Sequence, residues 1–276
     1  MQVTIVIDNM VDPRNSQPLL GQNGLSMLLD IPDCGRILFD TGQSAVLMKN
    51  LLLLDIMPDS IDYAILSHGH DDHCGGLLSF LRSRRLPLTV FAGPGLFSPR
   101  YLQDTNIQTK FIGISYTKEI LTSSGADFIF TYGPVQIREN IWLSGPIPKI
   151  TDFETENLNM IDANNQTDRF PDEIAAYITT AKGLVVLTGS SHRGLVNLIK
   201  YGQKVTGVQK VHAIIGGSNL EYVGDWQREE TLDFLCKLDP DVIALNHCTG
   251  IKMLAFLQNF FGSKMIEASI GKVIEI

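Results

Sequence analysis

Residues 67–76 read SHGHDDHCGG. Three of the chain's six histidines, His68, His70 and His73, fall here, with Asp71 and Asp72 between them. The apolar run YAIL (63–66) leads straight into the stretch, so the histidines sit where a strand gives way to a loop. In extended backbone, positions two apart face the same way, and His68 and His70 can both reach one ion. Asp72 and His73 follow the turn at Gly69 and can point to a second. Imidazole with carboxylate is a ligand set for zinc, iron or manganese. A lone histidine is usually a solvated or structural one. Four candidate ligands crowded behind an apolar strand read instead as a metal site.

The same arrangement recurs further along the chain. GLVVLTG (183–189) runs into Ser190, Ser191 and His192, and DVIALN (241–246) runs into His247. Five of the six histidines thus stand at or just after the C-terminal end of an apolar strand, where rigid scaffolds hold functional groups. The sixth, His212, precedes a strand and reads as structural. Further strand-like runs occupy 3–8, 26–31, 36–40, 63–67, 88–93 and 212–217, and residues 110–145 read as short strands. Helical patterns cover about 43–54, 75–82, 193–201, 227–237 and 250–260. Residues 150–173 are polar and aperiodic, and a loop of that length is either functional or mobile. It is a candidate lid. Strands mixed with helices in both halves fit two packed sheets with helices outside. No boundary signal divides residues 1–276, which reads as a single domain.

Hydrophobic residues make up 44% of the 276 and charged residues 19%, a globular balance. The formal net charge of −8 argues against nucleic acid or an anionic membrane surface as a partner. A small substrate, even an anionic one, remains compatible, because a local site can carry the opposite sign. The oligomeric state is not legible. MQVTIVIDN alternates like a strand and is not a signal peptide. NLLLLDIM is broken by Asp55 far short of a membrane span. Cys34, Cys74, Cys236 and Cys248 show no CxxC spacing, which fits reduced thiols in a cytoplasmic protein.

His68-Gly69-His70-Asp71-Asp72-His73 is an HxHxDH pattern and resembles the metallo-β-lactamase superfamily. Asp8-Asn9, Gly24-Leu25-Ser26, Phe39-Asp40-Thr41-Gly42, Gly145-Pro146-Ile147-Pro148, Asp152-Phe153-Glu154, Thr188-Gly189-Ser190-Ser191-His192, Gly216-Gly217 and His247-Cys248-Thr249-Gly250 follow in the order of one subgroup. That subgroup is labelled dihydropteridinyl-methyl-ribofuranosylaminobenzene phosphate synthase. The resemblance spans nearly the whole chain and implies an α/β fold, the four-layer αββα sandwich, with metals at the edge between the sheets. It implies one or two divalent transition-metal ions, zinc first and iron or manganese as alternatives. His68, His70 and His192 would serve one position, and Asp72, His73 and His247 the other. Asp40 would support the histidine loop from behind, fixing ring orientation.

Three departures stand out. Ser190 occupies a position where the family often has Asp or Cys, and a hydroxyl is a weaker metal bridge. Asn219 replaces a histidine of the subgroup's GGFHL pattern. Asn23 replaces the histidine before Gly-Leu-Ser. The expectation is a dinuclear site with one weakened position, which Asp72 could bridge in place of Ser190. Asn23, Lys149, Arg193 and Tyr222 are candidate substrate contacts, Tyr222 together with Trp226 as a wall for a flat ring.

These residues lead to a hydrolase that uses a metal-bound hydroxide on a small ester, thioester, lactone, phosphoester or amide. Asp72 would take part in catalysis, and His192 or Asn219 would orient the developing oxyanion. One alternative is a methanopterin-type transferase joining a dihydropterin methyl to an arylamine ribofuranosyl phosphate. The other, favoured by Ser190, Asn219 and Asn23, is a ligand-binding protein on a degraded enzyme scaffold.

Overall fold

The computed structural model describes residues 1–12, 14–103 and 109–276. Its strands form two large sheets. The first runs in the order Val273–Glu275, Gln2–Ile7, Ser26–Ile31, Gly35–Phe39, Tyr63–Leu66, Leu88–Ala92 and Ala126–Phe130. The second runs Val242–Asn246, Val211–Gly217, Gly183–Thr188, Ala176–Thr180, Ile141–Leu143 and Val135–Arg138.

Side-chain alternation explains the layering. Met27, Leu29, Ile37 and Phe39 of the first sheet meet Val185, Leu187, Ala213 and Ile215 of the second in one inner core. The intervening residues point outward. Leu28 and Leu38 pack under helices Val46–Leu53 and Leu77–Arg82. Leu184, Val186 and Ile214 pack under helices Leu195–Thr206 and Asp225–Leu238. Strands covered on both faces read as nearly continuous apolar runs, as GLVVLT does. The result is an αββα sandwich.

Gly35–Phe39, Tyr63–Leu66, Leu88–Ala92 and Ala126–Phe130 are parallel, as are Gly183–Thr188, Val211–Gly217 and Val242–Asn246. Parallel strands put their C-terminal ends on one edge, the usual place for a ligand crevice in open α/β sheets. Gly189 lets the two sheets close at that edge. A Cβ there would lie 2.0 Å from Ser67 Oγ.

Two regions depart from the sequence reading. The middle segment contains a short helix, Lys118–Ser123, capped by Thr117 Oγ1 accepting from the Ile120 N–H. Residues 150–173 are not a free lid. Met160–Asp162 pairs with Arg100–Gln103, Asp168 holds Arg100, and Glu154 accepts the N–H groups of Val196 and Asn197. Part of its polarity serves buried hydrogen bonds, while Asn164, Asn165 and Gln166 stay exposed. His212 lies inside its strand, with Nδ1 2.7 Å from Asp241.

Candidate metal centre

The strand-end histidines converge. His68, His70 and His192 offer one ring nitrogen each within 4.8 Å of one another, and beside them Asp72 offers a carboxylate oxygen with ring nitrogens of His73 and His247 at the same spacing. The His68 and His73 rings lie 4.2 Å apart, so the two groups adjoin. His68 and His70 come from the first sheet and His192 from the second, so only the closed sandwich assembles the trio.

The backbone is held in unusual conformations to do this. Asp40, Ser191, Asn219 and His247 all have φ between 50° and 58°. Non-glycine residues seldom adopt such values, and they persist where surrounding contacts over-determine them, often at functional sites.

Hydrogen bonds choose which nitrogen each ring presents. His73 Nδ1 donates to Asp40 Oδ2 at 2.7 Å, leaving Nε2 to face Ser190 Oγ at 3.0 Å. His68 Nδ1 donates to Ser67 Oγ, which donates in turn to Asp40 Oδ2. The Ser67 N–H goes to Asp40 Oδ1. Asp40 therefore orients one imidazole of each trio, directly and through Ser67, the carboxylate–histidine arrangement that fixes metal-binding rings. His247 Nδ1 donates to Asn9 Oδ1 at 2.8 Å, and its N–H to Asp8 Oδ1. Its Nε2 lies 3.5 Å from Asp72 Oδ2.

Electrostatics separate the trios. Burial, with neighbouring imidazoles, holds His68 and His192 well below the ordinary histidine range and His70 down to about 3. These three rings are neutral. Burial also lowers His247 to about 4. Burial opposes protonation of His73 as well, but Asp40 and Asp72 outweigh it and raise that ring. Burial pushes Asp72 up, yet His73 and His247 bring it below its ordinary value, so it stays ionised.

The donor set fits a cation. His68 Nε2, His70 Nε2 and both nitrogens of His192 are buried with no partner among the described residues. Each such group costs about 1–3 kcal/mol unless something binds it. Convergent, neutral, lone-pair-bearing nitrogens are what a divalent transition metal takes.

The remaining expected residues divide. Asn23, exposed, donates to Asp72 Oδ2 at 3.1 Å and accepts from Asn9 Nδ2 at 3.2 Å, which ties it to the second trio. The Arg193 guanidinium pairs with Glu156 through Nη1 and donates to the carbonyls of Ile147 and Arg169. Lys149 lies exposed on its loop and joins neither trio. Tyr222 is exposed and lines a hollow with His247. Asn219 is buried, and its carbonyl accepts from the Tyr222 N–H.

Several residues escaped the sequence reading. Asp172 accepts the Gly69 N–H between His68 and His70 and pairs with buried Arg100. Glu173 accepts the N–H groups of His192 and Arg193, at 2.7 and 2.6 Å. Phe170 stacks on the His192 ring at 4.1 Å. The available signal was the acidic pair Asp172-Glu173 directly before the apolar run IAAYI (174–178). Carboxylates abutting a buried strand need partners.

A two-sheet sandwich with paired histidine–carboxylate trios at one edge defines a metallo-β-lactamase-type protein. The sequence profile of the metallo-beta-lactamase superfamily matches residues 20–147. A Methanocaldococcus jannaschii protein named 7,8-dihydropterin-6-methyl-4-(beta-D-ribofuranosyl)-aminobenzene-5'-phosphate synthase is 31% identical, covering 94% of this chain and 92% of its own. The chain belongs to the metallo-β-lactamase superfamily. Among solved structures it is similar to Tm1679, a metal-dependent hydrolase of the beta-lactamase superfamily. That match has 25% identity, covers 100% of this chain and 99% of the other, and has a TM-score of 0.83. Zn(2+)-bound PqqB from Methylobacterium extorquens shares the fold at 12% identity over all of both chains, TM-score 0.60. Superfamily and trios together imply divalent metal binding.

Proposed function

We propose that this protein is a metal-dependent hydrolase of a small ester, thioester, lactone, phosphoester or amide. The observation that carries the reading is the convergence of unpartnered nitrogens from His68, His70 and His192 beside the Asp72–His73–His247 trio. The two trios would hold a divalent cation, zinc first and iron or manganese next, which when bound would supply Lewis acidity and activate water near neutral pH. Asp40 keeps the His68 and His73 rings in the ligating tautomer. Asp72, ionised and 23% exposed, is placed to accept a proton at Oδ2. Phe170 and the buried imidazoles keep bulk water from the first trio. His192, in the first trio, would orient a developing oxyanion through a ring N–H, with Asn219 the other candidate for that role.

A second reading is supported by the Methanocaldococcus jannaschii relative, whose name is that of a synthase. In that case the same trios would act in joining a dihydropterin methyl to an arylamine. The deciding experiment starts with elemental analysis of protein purified without a metal-affinity tag. Hydrolysis of phosphodiester, lactone and thioester panels follows, with added zinc or manganese. Metal near two per chain and turnover lost in His70→Ala are the expected result. Turnover that survives in His70→Ala sinks the metal mechanism.

A further inference from the structure

The segment 170–174 engages the first trio and not the second. The Phe170 ring meets all three of its imidazoles, stacked on His192 at 4.1 Å and edge-on to His70 and His68 at 5.5 and 6.4 Å between ring centres. Asp172 Oδ2 accepts the Gly69 N–H at 2.7 Å, and the Ile174 N–H donates to Ser67 O at 2.8 Å. These two bonds grip the first-sheet loop on either side of His68. Glu173 grips the second-sheet loop, with Oε1 accepting the His192 N–H and Oε2 the Arg193 N–H. Among the described residues, no hydrogen bond or ring contact of this segment goes to Asp72, His73 or His247.

The segment is itself fixed in place. Arg100 joins Asp168 to Asp172, and Asp168 Oδ1 accepts the Phe170 N–H. A Cβ on Gly93 would lie 2.1 Å from Asp172 O, so the backbone is seated against the end of strand Leu88–Ala92. Phe170 has φ 48°. For a bulky side chain that value is an outlier, and it persists only where surrounding contacts enforce it.

His192 depends on these contacts most. Asp40, Ser67 and Asn9 fix the rings of His73, His68 and His247 by bonding one ring nitrogen. Neither ring nitrogen of His192 has a partner among the described residues. Metal-binding imidazoles ordinarily take their orientation from a hydrogen bond on the second nitrogen. Here the Phe170 face holds the ring and Glu173 holds the main chain beneath it.

We propose that residues 170–174 are a strap that sets the first metal position and leaves the second alone, with Phe170 and Glu173 as positioning residues for His192. The proposal rests on the metal-binding part of the hydrolase reading. Its readout is metal release rather than turnover, so the strap and the hydrolysis are decided separately.

Zinc-loaded protein is mixed with a chromogenic pyridylazo chelator, and release is followed by absorbance. Wild type should release zinc in two phases. His70→Ala should lack one of them, which assigns that phase to the first trio. Glu173→Gln, with one acceptor oxygen in place of two, should weaken first-trio binding and speed that phase about 10–100-fold. Phe170→Leu, which keeps apolar bulk but loses the flat face, should speed it about tenfold, the lower end of that range. The other phase should be unchanged in both variants, and neither substitution should alter release when combined with His70→Ala. Glu154→Gln is the control, because Glu154 clamps the N–H groups of Val196 and Asn197 in the same way without touching a ligand loop. It should lower the melting temperature as Glu173→Gln does and change neither phase. Wild-type release rates in Glu173→Gln and Phe170→Leu overturn the strap. So does equal acceleration in Glu154→Gln, or equal acceleration of both phases, which would mean general loosening. Wild type that takes up no zinc overturns the strap and the hydrolase reading together.

Discussion

His68, His70 and His192 meet from two different sheets and bring no charge, whereas Asp72, His73 and His247 bring a carboxylate and two imidazoles anchored by Asp40 and Asn9. The first trio also lies near the buried cation Arg100, which helps keep its rings neutral. Asp168 and Asp172 pair with that guanidinium, so it adds little net repulsion, but the first trio itself gives a dication no carboxylate. In the second trio Asp72 neutralises part of that charge. Ser190, against His73, leaves no shared anion between them. Ligand number alone would rank the trios equal. Charge and ring anchoring rank the second above the first.

The largest effect should come from His70→Ala. Hydrolysis falls by on the order of 10³ or more, because an unactivated water must serve, and elemental analysis shows one metal fewer per chain. Retention of both metals would erase the distinction between trios. Next is Asp40→Asn, which strips the carboxylate from the His73 ring and from Ser67. Chelator competition should show metal affinity reduced about 10–100-fold, with Ser67→Ala giving a smaller loss confined to the first trio. Equal losses in these two variants would contradict the direct and indirect roles drawn for Asp40.

Ser190→Asp sharpens the comparison from the other side. An added carboxylate between the trios should slow loss of the weaker metal to chelator and tighten it about tenfold, the size of one charge-assisted contact. Unchanged chelation kinetics would mean that residue 190 does not face both trios.

The smallest effect concerns pH. In the folded chain His70 protonates near 3, against 6.5 ordinarily. Between those values the unfolded chain holds the extra proton, so stability is lost as pH falls from about 6.5 toward 3. Glu173 and Asp172, raised by burial to about 7 and about 6, act in the opposite sense and are common to both proteins compared. In chelator-treated samples, the urea midpoint of His70→Leu should therefore drop less between pH 7.5 and pH 5 than that of the wild type. An identical drop would mean His70 is not the buried neutral ring described.

The sandwich and most of the ligand set were legible because each depends on local pattern. Apolar runs ending in histidine mark strand ends, and HxHxDH places four candidates on one loop. Partnerships across more than a hundred residues carry no local mark. Gly69 with Asp172, and Ser190 with His73, are set by how the two sheets close. The polar 150–173 stretch read as a functional or mobile loop, a candidate lid, because periodicity cannot distinguish a solvated carboxylate from one capping Val196 and Asn197, as Glu154 does.

By itself, the sequence determined which residue types stand at the ends of which strands, and so the superfamily and the candidate ligands. Only the tertiary structure decided which nitrogens remain unpaired and which buried carboxylates hold the loops that carry them. The reason is physical. Strand propensity and hydrophobic alternation act over a few residues, whereas desolvation and hydrogen-bond satisfaction depend on everything the folded chain brings within a few ångströms.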